Sequence, residues 1–274
     1  MPTTAIDIIL QPNKKLYFAS DFHLGAPNHA ESLLRERKIV AWLDHIRGDA
    51  QAVFLVGDLF DFWFEYRRAV PRGFVRLLGK LAELTDAGIE VLVFPGNHDM
   101  WMNGYFEEEL DVKTYRKPVI FRVLSDDSSQ IRQFYVTHGD GLGPGDYFYK
   151  NLKTVFESRW AKWAFANLLP ADVALGLAQT WARNSWKKHE NQPKPVFLGP
   201  EKEWLLQYAQ EIEARLHHDF YVFGHRHIEV DYALNLSSRM LILGDWITQW
   251  TYAEYQTEMK IKKFGDLTNL PIYQ

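Results

Sequence analysis

Residues 52–61 read AVFLVGDLFD: an apolar run from Ala52 to Val56, then Gly57, then two carboxylates, Asp58 and Asp61. A short, wholly apolar run bounded by glycine fits a strand buried on both faces, the kind found in parallel sheets covered by helices. Gly57 lets the chain turn sharply out of the strand. The carboxylates then sit at the strand's carboxyl end, where open α/β sheets gather their ligand sites. The same arrangement recurs four times. KLYFAS (15–20) leads into Asp21 and His23, and IEVLVF (89–94) into P-G-N-H-D with Asn97, His98 and Asp99. QFYVT (133–137) leads into His138 and Asp140, and DFYVF (219–223) into G-H-R-H with His225 and His227. Gly96 and Gly224 precede the motif residues as Gly57 does.

Helical spacing fills the gaps between these runs, over 31–47, 72–87 and 201–216. Alternating β and α segments predict an α/β core. The stretch 232–264 reads as meandering strands and predicts a second sheet. The fold class expected is α/β, with a core formed by residues 1–145 and 199–274 and one insertion.

That insertion is residues 146–198. Two helices, 147–169 and 171–189, are separated by Pro170 and form a helical hairpin placed as a lid. The segment carries eight Lys/Arg against four Asp/Glu, a net +4, which leaves −8 for the rest of a chain whose total is −4. Trp160, Trp163, Trp181 and Trp186 fall inside it, and Phe156, Trp160 and Trp163 share one helical face. Such a face either docks on the core or forms an apolar groove or membrane contact with basic flanks.

Composition narrows the chemistry. The 274 residues are 47% apolar and contain no cysteine. Thiolate metal sites, cysteine nucleophiles and disulfides are thereby excluded, and any metal falls to His, Asp, Glu and Asn. No secretory leader or membrane span is read from the sequence, so a cytoplasmic protein is expected. A net charge of −4 makes no case for nucleic acid as a partner. His29, His45, His189, His217 and His218 belong to no motif and read as surface or helix residues.

Five Asp/His/Asn clusters at equivalent strand ends converge in space, although they are scattered along the chain. Two cations in one pocket need a shared anionic ligand and several neutral ones. A carboxylate such as Asp58 can bridge, with imidazoles filling the other positions. Two metals about 3.5–4 Å apart clamp a phosphoryl oxygen and activate water. Nitrogen and oxygen ligation without sulfur fits two Mn, Fe or Zn ions better than Mg or Ca.

D-x-H, G-D-x-x-D, G-N-H-D, H-G-D and G-H-x-H together resemble the calcineurin-like metallophosphoesterase signature, over residues 15 to about 245. The resemblance implies a β-sandwich of two mixed sheets flanked by helices and assigns Asp21, His23, Asp58 and His227 to one metal. Asp58, Asn97, His138 and His225 go to the other. It makes His98 a phosphate-contacting general acid with Asp99 as its orienting partner, and Asp61 and Asp140 residues that hold the ligands in place.

Within that family the chain is most similar to the branch that hydrolyses UDP-2,3-diacylglucosamine in lipid A biosynthesis. S-D-x-H-L, the stretch from Gly57 to Trp63 and the position of the hairpin carry this likeness. Arg183, Asn184, Ser185 and Lys187 or Lys188 resemble the branch's R-x-N-S-x-K segment. Asp146 stands where the branch has an acidic substrate contact. Asn97, His98, Asp146, Ser185, Lys188 and His225 are the substrate-binding residues this implies. The resemblance also implies a nucleotide-activated glycolipid as substrate and peripheral contact with the cytoplasmic face of the inner membrane. One departure stands out: the best-known members of the branch have Arg where this chain has His98, and the histidine restores the general family pattern. Alternatives are another nucleotide-diphosphate or phosphodiester hydrolase of the superfamily, and a non-catalytic scaffold with the same fold.

Overall fold

Strand β3 (Ala50–Leu55) lies between β2 (Lys15–Ala19) and β4 (Glu90–Val93) and runs parallel to both. The structure, a computed structural model, describes residues 5–66, 68–125, 130–143, 158, 160, 176 and 195–265. On the far side of β4, β5 (Lys113–Thr114) adds a short parallel edge. On the far side of β2, β11 (Thr251–Tyr255) and β12 (Met259–Lys263) complete the sheet in antiparallel sense.

The second sheet has the order β1 (Ala5–Leu10), β6 (Val119–Ser125), β7 (Ile131–Val136), β8 (Phe220–Phe223), β10 (Arg239–Leu243), β9 (Glu229–Ala233). It is also mixed: β7, β8 and β10 are mutually parallel, while β6 and β9 run against their neighbours β7 and β10. The described helices are α1 (His29–Ile46), α2 (Val75–Asp86), α3 (Tyr105–Leu110) and α4 (Trp204–Glu213).

Strand periodicity explains the layering. Along β3 and its continuation, Ala52, Phe54 and Val56 face the second sheet, where Phe121, Phe134 and Val222 meet them. The alternate residues Val53 and Leu55 face α1 and α2 through Trp42, Leu43, Leu77 and Leu81. On the outside of the second sheet, Tyr135, Tyr221 and Phe223 pack on Leu205, Leu206 and Ala209 of α4. The result is helix, sheet, sheet, helix, with apolar side chains on both faces of each central strand. His218, expected as a surface or helix residue, is buried instead, with Nδ1 3.0 Å from the Tyr221 hydroxyl.

The expected two-sheet architecture is present, with one correction. The C-terminal meander does not form a sheet of its own. Its first two strands join the second sheet through β8, and its last two join the first through β2. The helical hairpin expected over 146–198 lies outside the described residues except at 158, 160, 176 and 195–198.

Candidate metal centre

All five motifs follow the carboxyl ends of β2, β3, β4, β7 and β8, so both sheets contribute to one site. Asp21, His23, Asp58 and His227 offer ligand atoms that lie within 4.8 Å of one another, as do those of Asp58, His138 and His225. The two groups share Asp58. Its Oδ2 lies 3.7 Å from His23 Nε2 and 3.3 Å from His138 Nε2, while its Oδ1 accepts from the His98 backbone N–H at 2.9 Å. Asp21 Oδ1 is 3.3 Å from His227 Nε2, and the backbone N–H of His225 donates to the same carboxylate.

Close approach dictates the glycines. A Cβ at Gly57, where φ is +87°, would fall on the His138 imidazole, and one at Gly96 would fall on the Asp58 carboxylate. Gly57 turns the chain as expected. Gly96 keeps an ordinary backbone and is needed for space. The ligand candidates carry the unusual geometry themselves: Asp21, His23, Asp58, His225 and His227 all have positive φ, from 44° to 68°. The left-handed region disfavours side chains other than glycine and is held only where surrounding structure over-determines it.

The electrostatics are those of a cation site. Burial pulls the His23 imidazole down, but Asp21, Asp61 and Asp58 outweigh it and raise the ring to about 10. His138 is also pulled down by burial and is carried up to about 10, chiefly by Asp58. Burial opposes ionisation of Asp58, yet His138, His98 and His23 hold it well below the ordinary carboxylate range. Burial and the charge of His138 push His225 down to about 4. Protons on imidazoles thus stand in for cations. His23 Nε2 and His227 Nε2 face each other at 3.1 Å, a spacing that two neutral rings satisfy only with a proton or a metal to share.

The orphaned atoms fit a metal too. Asn97 Oδ1 is buried and finds no hydrogen-bond partner among the described residues, and His138 Nε2, 3.3 Å from Asp58 Oδ2, makes no well-aligned hydrogen bond. His138 Nδ1 donates to the Val56 carbonyl at 2.8 Å, which fixes the tautomer and leaves Nε2 as the ligating nitrogen.

A family model described as calcineurin-like phosphoesterase matches residues 14–229. A UDP-2,3-diacylglucosamine hydrolase from Porphyromonas gingivalis is 38% identical over 264 residues, covering 92% of this chain and 98% of that protein. The chain is a calcineurin-like phosphoesterase. Proteins of the same name from Actinobacillus succinogenes and Shewanella pealeana are 24% and 25% identical, each over 85% of this phosphoesterase and over 92% and 90% of their own lengths. Membership makes the chain a metal-dependent hydrolase, and the His/Asp cluster above is a group of residues that could hold a divalent ion.

One expectation about this phosphoesterase changes. Asp99 is not placed to orient His98: its carboxylate accepts from the backbone N–H groups of Leu59 and Gly96, each at 2.7 Å. Buried there beside Asp58, it is raised to about 7. Asp61 takes the orienting place, because His98 Nδ1 lies 2.9 Å from its carbonyl oxygen and 3.5 Å from its carboxylate. Asp140 is buried at the end of β7 near His138 and His225, as both rings feel its charge. Asp146, Ser185 and Lys188 lie outside the described residues.

Two supporting residues escaped the sequence reading. Arg35 on α1 is buried and sends Nη1 to the carbonyls of His23 at 2.7 Å and Ala26 at 3.0 Å. No local signal marks it. Asp245 follows β10 as a sixth strand-end motif, a G-D of the same kind as Gly57–Asp58. It accepts from the N–H groups of Ile247, Thr248 and Gln249. The loop so formed touches the site twice, through Trp246 N to Asp21 O at 3.1 Å and Gln249 Nε2 to His227 O at 2.7 Å.

Proposed function

We propose that this phosphoesterase cleaves the diphosphate of UDP-2,3-diacylglucosamine, giving UMP and 2,3-diacylglucosamine 1-phosphate, with two divalent ions drawn from Mn, Fe or Zn. The observation that carries the substrate is the near full-length similarity to the Porphyromonas gingivalis protein named for that hydrolysis. Support for two ions is the position of Asp58 Oδ2, common to both donor groups. Asp21, His23, Asp58 and His227 would hold one ion; Asp58, Asn97, His138 and His225 the other. When bound, the pair supplies Lewis-acid polarisation of the phosphoryl oxygens and an acidified water nucleophile.

The chain's own groups do the rest. His98 has Nδ1 committed to Asp61, so Nε2 is the nitrogen that protonates the leaving phosphate oxygen. Asp99 fastens the loop after β4 to the loop after β3 and thereby sets His98 and Asn97 against Asp58. Water adds to one phosphorus, the P–O bond to the bridging oxygen breaks, and that oxygen takes the proton. Asn97, His98 and His225 would also touch the substrate, joined by Asp146, Ser185 and Lys188 from the 146–198 insertion, whose basic, Trp-rich composition suits a phosphorylated, acylated ligand. Such a substrate implies a peripheral protein at the cytoplasmic face of the inner membrane. Among the described residues no helix is long and apolar enough to cross a membrane.

Mass spectrometry of the products from UDP-2,3-diacylglucosamine with Mn²⁺ tests the reading. UMP and the lipid monophosphate are expected, with little turnover of unacylated UDP-sugars. Equal turnover of the unacylated sugars would replace the lipid assignment with a general nucleotide-diphosphate hydrolase.

A further inference from the structure

Between His225 and His227 the chain carries a cation, Arg226. It sits in a loop whose flanking histidines both have positive φ, 68° and 51°. An unpaired positive charge adjacent in the chain to two metal ligands would repel divalent ions. Here it is paired. Arg226 Nε and Nη2 donate to the two carboxylate oxygens of Glu203 at 2.9 and 3.1 Å, a bidentate fork. Glu203 is fully buried, and the guanidinium also lies 4.3 Å from the centre of the Trp204 ring.

Glu203 is the N-cap of α4, and its backbone N–H is fixed to the Gly199 carbonyl at 3.0 Å. The chain entering the insertion meets the chain leaving it at this point, since a Cβ on Gly143 would strike the backbone of Trp204. Arg226 therefore ties the 225–227 loop to the place where both ends of the insertion rejoin the core.

We propose that Arg226 is a positioning residue: its fork to Glu203 and its stacking on Trp204 hold the 225–227 loop with both histidines at positive φ, so that His225 and His227 retain metal. The inference rests on the reading of those two histidines as metal ligands. Lysine keeps the charge but cannot reproduce the fork, so Arg226→Lys is not conservative here. The double variant Arg226→Gln/Glu203→Gln leaves no charge buried and unpaired, which protects folding.

Mn²⁺ binding to the purified full-length chain, read by the EPR signal of free Mn²⁺ with thermal melts alongside, is the test. Both variants are expected to melt cooperatively and to bind Mn²⁺ about tenfold more weakly, in the range typical for residues that orient ligands. Turnover number should fall while KM for the substrate changes little. Variants that bind Mn²⁺ as tightly as wild type would overturn the proposal, including variants that merely melt lower, because a purely structural role leaves affinity in the folded protein untouched. Wild-type protein that retains no Mn²⁺ would overturn the metal reading itself, and this inference with it.

Discussion

The carboxylate of Asp61 lies 3.6 Å from His23 Nδ1 and 3.5 Å from His98 Nδ1, so one residue orients a ligand candidate and the candidate acid together. Replacing it by alanine removes the carboxylate from both imidazoles and leaves His98 only the Asp61 carbonyl at 2.9 Å. Asp61→Ala is expected to lower turnover by about 10–100-fold, the usual effect of removing a group that orients a ligand. Steady-state kinetics at saturating Mn²⁺ checks this, and unchanged turnover would show that backbone contacts suffice. At this scale the sequence was informative about residue type and silent about partners. Asp21, His23, Asp58, Asn97, His138, His225 and His227 are legible because each follows an apolar run at the same relative place. The pairing of His98 is not legible, because a carboxylate can serve backbone N–H groups, as Asp99 does, and no local pattern distinguishes that role.

Among the elements, α1 supports the site from behind. Asn28 caps it by accepting from the Glu31 N–H at 3.1 Å, and Arg35, farther along the helix, reaches back to the carbonyls of the loop after β2. Glu36 on the same helix accepts from the N–H groups of Arg76 and Leu77, and so caps α2, whose own N-cap residue, Phe74, has no capping side chain. One helix thus fixes the loop after β2 and the start of its neighbour. The strands that end in motifs are legible from their apolar runs. Their pairing is not: β1 and β6 lie side by side at the edge of the second sheet although they are far apart in the chain. The C-terminal meander divides between the sheets for the same reason, since partners distant in sequence leave no local trace.

For the whole molecule, protons and metal compete for one set of groups. His23 and His138 are raised to about 10 in the folded, metal-free chain, above the ordinary histidine value near 6.5. A raised imidazole contributes stability that is fully present below about pH 6.5 and is lost as pH climbs through the folded value. Metal-free protein should therefore melt at progressively lower temperature between about pH 6.5 and 10. Mn²⁺ should restore the loss, since it takes the place of the protons, and its binding at about pH 7.5 should release them. Melts with and without Mn²⁺ across that range check the sign; a metal-free melting temperature that rises toward about pH 10 would contradict it.

If Asp58 joins two divalent ions in one catalytic site, metal titration of the wild type beside Asp58→Ala reads it out. The wild type is expected to bind two Mn²⁺ per chain, with hydrolysis of UDP-2,3-diacylglucosamine appearing as the second site fills. Asp58→Ala should remain folded, bind fewer ions and show no turnover. A variant that keeps both ions and full activity would show that Asp58 does not join them.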